Sequence, residues 1–217
     1  MTVLIEAAVD SVESALAAQR AGAQRLELCA NLGVGGTTPS EALIDAVLER
    51  VDLPIAAMVR PRGGSFVHSA AEIEQMQRDV DTILRHGVAA VVLGILDAGG
   101  HVDVAPVREL VRLAGGTPVV FHKAFDRIAD RAAALETLVQ LGLSRVLTSG
   151  GAPSAMEGAA EIAALHRQAA GRIEILAGGK VRGANVRELV AATGVDQVHA
   201  RCGDDGAQIR EIAEALS

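Results

Sequence analysis

The chain has 217 residues, half of them apolar, with three aromatics (Phe66, Phe121 and Phe125) and a formal charge of −7. That acidity excludes a general affinity for nucleic-acid phosphates, and without Trp or Tyr there is no platform for stacking bases. No apolar run approaches the roughly 20 residues that span a bilayer. The first residues, Met1 to Glu6, hold an acid and no basic leader, so a soluble cytoplasmic protein without nucleic-acid or membrane partners is expected.

Short apolar runs recur along the whole chain. They predict strands at Leu4–Val9, Arg25–Cys29, Pro54–Val59, Ala89–Leu93, Pro118–Phe121, Arg145–Thr148, Ile173–Ala177 and Gln197–Ala200. Each is too short for a helix and reads as buried on both faces. The intervening segments are amphipathic. Asp10 with Glu13, Thr38 with Glu41, Ser69 with Glu72 and Ser154 with Glu157 have the spacing of a capping box, and Pro39 suits a first helical turn. Gly22, Gly87, Gly115, Gly142, Gly171 and Gly194 each close such a segment, as a left-handed cap requires. Eight strand–helix units of about 27 residues predict an α/β fold, a (β/α)8 TIM-like barrel in a single compact domain over residues 1–217. A doubly wound sheet normally has fewer strands, and no G-x-G-x-x-G follows the first one.

In such a barrel the chemistry sits at the C-terminal ends of the strands. Those positions hold Glu6, then Glu27 and Cys29, Arg60 and Arg62, and Asp97; later come His122-Lys123 with Asp126, Ser149-Gly150-Gly151, Gly178-Gly179-Lys180, and His199 with Arg201. Glu6 and Glu27 are either structural partners of Arg25 or Arg60, or buried carboxyls available for general acid–base work. With His122 and Asp126 they form the candidate catalytic set. Arg60, Arg62, Lys123, His199 and the amides around Ser149, Gly150, Gly178 and Gly179 form the candidate anion site, because free amides after strands six and seven can make a nest. Arg60 is expected to point inward and Arg62 toward the rim. Cys29 and Cys202 lie beyond strands two and eight, too far apart for a disulfide.

The runs Glu6–Ala15, RLELC (25–29), GGTTPS (35–40), RPRGG (60–64), FHKAFD (121–126), LTSGG (147–151) and AGG (177–179), in this order, resemble the CutC family. The resemblance spans nearly the whole chain. It implies a TIM-like barrel, a cytoplasmic location and a part in copper homeostasis, with Cys29 as a copper ion ligand and Cu(I) as the cofactor. It also places Glu6, Glu27, Cys29, Arg60, Arg62, His122, Asp126, Ser149 and His199 in one pocket. Two positions depart from the family pattern. Ala8 stands where copper-associated members carry a second cysteine, and Lys123 stands where arginine is usual. Two readings follow: a copper-handling protein, or an enzyme of isomerase or lyase type acting on small anionic ligands, phosphorylated ones included. The sparse charge on the helices leads us to expect a homo-oligomer.

Overall fold

The computed structural model describes residues 3–217. Strands β1 (Leu4–Val9), β2 (Arg25–Leu28), β3 (Ile55–Met58), β4 (Ala90–Leu93), β5 (Val119–Phe121), β6 (Arg145–Thr148), β7 (Glu174–Gly178) and β8 (Gln197–Arg201) pair in sequence order. All pairs are parallel, and β8 returns to β1, so the sheet closes into a barrel. Every predicted strand is present. Helices α1 (Val12–Arg20), α2 (Glu41–Leu48), α3 (Ala70–Arg85), α4 (Val104–Leu113), α5 (Arg131–Gln140), α6 (Ala159–Ala169), α7 (Gly183–Thr193) and α8 (Ala207–Leu216) cover the outside.

The six predicted glycine caps all have positive φ, between 60° and 96°. Helix starts are less faithful to the predicted boxes. Ser69 and Glu72 do form one at α3, but α1 is capped by Ser11 with Ser14, and α2 by Ser40. Ser154 bonds Glu157 inside the turn that precedes α6. Thr38 is diverted: its hydroxyl accepts from the Arg60 amide and donates to Asp79 of α3, so Pro39 precedes the cap instead of opening the helix. A Ser, Thr or Asp three residues before a Glu satisfies the spacing wherever it falls, and tertiary partners decide which one caps.

Strand residues alternate between two cores. Those facing outward, such as Leu26, Leu28, Val91 and Leu93, pack under the helices. Facing inward on β3, β4 and β5 are Ala56, Met58, Ala90, Val92 and Val120, an apolar cluster that also takes in Cys29. Glu6, Arg25, Glu27, Arg145 and Gln197 are buried on β1, β2, β6 and β8. The barrel interior is therefore apolar on one side and ionic on the other.

Candidate functional site

The ionic side is layered by strand register. Glu6 pairs in register with Arg25 on one flank and His199 on the other. At 1% exposure its carboxylate must be compensated. The Arg25 Nε donates to it, and Arg145 Nη1 lies 3.8 Å away. Arg25 also donates to the Gln197 Oε1 at 2.7 Å, and Arg145 to the Glu174 Oε2 at 2.7 Å. Of the two sequence alternatives for Glu6, the structural ion is what is observed, with Arg145 as a partner the sequence did not expose and Arg60 playing no part.

One layer higher, His199 Nε2 lies 3.1 Å from Glu27 Oε2 and 3.9 Å from Glu6 Oε1. Burial alone would discharge both groups. The charge and hydrogen bond of Glu27, helped by Glu6, instead hold the His199 imidazolium above its ordinary pKa, and His199 in turn holds the Glu27 carboxyl below its own. The pair is therefore ionised and carries its proton on His199. With His199 charged, Glu6, Glu27 and Glu174 balance Arg25, Arg145 and His199. Cys29 Sγ approaches Glu27 Oε2 at 3.8 Å. Burial, then the Glu27 charge, push its thiol well above the ordinary value. Cys202 bonds the carbonyl of Ser14 at 3.6 Å on the helix-facing side of the wall.

His122, just past β5, is 4% exposed. Its Nδ1 accepts the Ala124 amide at 3.2 Å, which places the ring proton on Nε2, and Nε2 has no partner. Burial, then the Arg60 charge, push this imidazole down to about 3, against the pull of Glu27. The ring rests on Gly94, where a Cβ would sit 2.4 Å from its Nδ1, and is roofed by Phe66, 5.0 Å between ring centroids.

The two arginines of RPRGG part ways. Arg60 is 3% exposed; its Nη1 donates to the carbonyls of Val34, Gly35 and Gly36 and its Nη2 to that of Gly64. Its guanidinium stacks over Phe66 at 4.7 Å. It reaches the cavity wall, and its two terminal nitrogens tie two loops together while its Nε is buried without a partner. Arg62 turns away to Glu72 (2.5 Å) and to the carbonyls of Ser65 and Val67. The expected anion role of Arg62 does not match this placement: Glu72, fixed in the Ser69 cap, offers a nearer counter-ion.

The predicted amide nest after β6 exists, and the protein fills it. Asp126 accepts from the Ser149 amide (2.9 Å) and hydroxyl (2.9 Å), the Gly151 amide (3.0 Å) and the Thr148 hydroxyl (2.5 Å). Lys123 adds an ion pair at 3.3 Å and a bond to Ser149 at 3.2 Å. The Gly150 amide is taken by the Thr148 hydroxyl. Gly178 leaves room for its neighbours, since a Cβ there would lie 2.6 Å from Leu147 and 3.2 Å from His199. The Gly179 carbonyl accepts from Ala155. Gly178 therefore shapes the wall, and Asp126 is an internal anion and not an unengaged base.

Above these groups opens a cavity of about 450 Å³. Glu27, His122 and His199 line it, with Met58, Phe66 and Leu147 among its apolar walls. Arg127 and Arg201 stand at its mouth, neither with a hydrogen bond or ion pair among the described residues. Sequence reasoning placed Arg201 on its strand without assigning it a role and missed Arg127 and Phe66. Arg201 alternates with His199 on β8 and so shares its face; Arg127 directly follows FHKAFD. A second cavity, about 420 Å³, shares Phe66, Lys123 and Arg127 with the first.

Glu6, Glu27 and His199 are the one trio among the described residues whose ligand atoms lie within 4.8 Å of one another. It offers oxygen and nitrogen, and Arg25 and Arg145 already neutralise Glu6. No helix among the described residues is long and apolar enough to cross a membrane.

Comparison with known proteins bears on the same span. The CutC family profile matches residues 3–203. A CutC family protein of Xylella fastidiosa is 50% identical over 196 residues, covering 90% of this chain and 73% of its own. The human copper homeostasis protein cutC homolog is 42% identical over 216 residues, 98% of this chain and 79% of that one. The crystal structure of the copper homeostasis protein CutC from Streptococcus agalactiae superposes with a TM-score of 0.87 at 36% identity, covering 91% and 98% of the two chains. An aldolase, at 15% identity and a TM-score of 0.71, shares the barrel.

Proposed function

The chain belongs to the CutC family, and on that premise we propose that it is an enzyme moving a proton beside a carbonyl group of a small anionic compound held in the barrel mouth. One observation carries the reading: a buried, neutral His122 whose Nε2–H has no partner lines the same cavity as the ionised Glu27–His199 pair. A neutral imidazole donor suits a carbonyl oxygen on which charge develops. The C–H proton passes to Glu27, and the electron pair of that bond flows onto the oxygen held by His122. In an α-hydroxy carbonyl compound, His199 returns a proton to the carbonyl carbon while the α-hydroxyl passes its own proton to the oxygen held by His122. The α carbon becomes the new carbonyl, and His199 is reloaded from Glu27 across their hydrogen bond. Protons and electrons balance without a co-reactant, giving an isomerisation; loss of a leaving group instead gives a lyase.

The relatives' names raise a copper role, and the residues here fit Cu(I) poorly. That ion seeks two or three soft sulfur ligands. Cys29 is a lone buried thiol held protonated beside a carboxylate, Ala8 contributes no sulfur, and Cys202 faces the helices.

The test is solvent exchange. The protein is incubated in D2O with small carboxylated and phosphorylated carbonyl compounds, and deuterium at carbon is read by NMR. Exchange into at least one compound is expected, with a loss of 10²-fold or more in His122→Ala and Glu27→Gln. No exchange in any compound, together with tight Cu(I) binding lost in Cys29→Ala, overturns the proposal in favour of copper handling.

A further inference from the structure

Building on that reading, we propose that the anion this pocket takes is a carboxylate on an apolar body, not a phosphate ester, and that Arg127 and Arg201 hold it. Barrels that bind phosphate do so with unspent amides in the loops after the last strands and at the start of the helix that follows. Three such places here already hold one of the chain's own carboxylates or carboxamides. Asp126 consumes the Ser149 and Gly151 amides after β6. Asn185 takes the Arg182 amide before α7. Asp204 and Asp205 stand ahead of α8, and Asp205 accepts the Ala207 amide at 3.0 Å. A phosphate dianion would find donors already taken at all three, and a carboxylate beside them at two.

Arg127 and Arg201 are different. Both are exposed, both line the main cavity, and neither donates to a protein group among the described residues. A guanidinium fork matches a carboxylate with two parallel hydrogen bonds. Below them Leu32, Met58, Phe66 and Leu147 present apolar walls. About 450 Å³ accommodates one ring or a short branched chain beneath the acid group. His122, also lining that space and with its Nε2–H unpartnered, is left for the ligand's polar end.

Benzoate and phenyl phosphate share a ring and differ in the anion, so calorimetry with the two decides between the anions. Benzoate is expected to bind the wild-type protein at least about tenfold more tightly than phenyl phosphate. Arg127→Ala and Arg201→Ala should each weaken benzoate about tenfold. Inorganic phosphate should leave the wild-type melting temperature unchanged and raise that of Asp126→Ala, whose nest is open; should that variant not fold, the wild-type and arginine measurements decide alone. Phenyl phosphate binding as tightly as benzoate, or benzoate indifferent to both arginines, overturns the proposal. The two readings fail separately. Deuterium exchange confined to phosphorylated compounds removes the carboxylate assignment and keeps the proton chemistry. Arginine-dependent benzoate binding with no exchange into any compound does the reverse.

Discussion

Of the two histidines at one cavity, one is charged and the other neutral, because only one of them touches a carboxylate. His199 touches Glu27; His122 touches a backbone amide, a glycine and a phenyl ring. A folded-state value depressed from 6.5 to about 3 means that the unfolded chain binds the His122 proton first. Stability therefore drains away as pH falls from about 6.5 toward 3. His199 has the other sign. Its folded value is raised above 6.5, so its contribution is complete below 6.5 and is lost as pH rises through the folded value. Nitrogen NMR of the labelled imidazoles is expected to find His122 as the neutral Nε2–H form at pH 5 and His199 charged at pH 6.5. A charged His122 at pH 5 would contradict its burial. Gly94→Ala should cost as much exchange activity as His122→Ala, because its Cβ would take the seat of the ring. His122 was legible as a histidine capping an apolar strand. Gly94 was not: a single glycine after β4 gives no pattern, and only the fold shows what lies on it.

At the scale of elements, strands and helix ends were legible from local chemistry, because short apolar runs and left-handed glycines depend on little beyond their own residues. Helix starts and loop contacts depend on distant partners. The diversion of Thr38 to Asp79 and the grip of Arg60 on four carbonyls could not be read from spacing. Arg60 links the loop that leaves β2, residues 30–40, to the loop that leaves β3, residues 61–69. Charge-assisted bonds to carbonyls contribute about 1.5–3 kcal/mol, and an unsatisfied buried acceptor costs further. Arg60→Met is therefore expected to destabilise the fold by about 3 kcal/mol in urea unfolding. Limited proteolysis of that variant should cut first within 30–40 or 61–69; cleavage beginning in the helical ring instead would deny the latch.

For the molecule as a whole, charge balance inside the barrel couples its two ends. Arg145 reaches Glu174 at the entry of the strands and Glu6 in the middle. Glu6 is in turn the lower neighbour of His199. Removing one partner of a buried ion network costs about 3–5 kcal/mol. Arg145→Leu is expected to fall in that range by denaturant unfolding, and to raise the His199 value further, since one cation fewer competes for Glu6. An unchanged His199 titration in a folded Arg145→Leu protein would show that the layers are independent. The barrel itself was legible in the sequence because eight repeats report it. The identity of Arg145 as a core ion was not, since at the start of an apolar strand it reads as a flanking surface charge.

The divided interior has a stereochemical consequence. A ligand that lays its apolar side on Met58 and Leu32, toward β3, turns its other side to Glu27 and His199. Its two prochiral faces then meet unlike walls, one of hydrocarbon and one of proton donors and acceptors. Deuterium taken up from solvent would enter from a single direction, and the product would be one enantiomer.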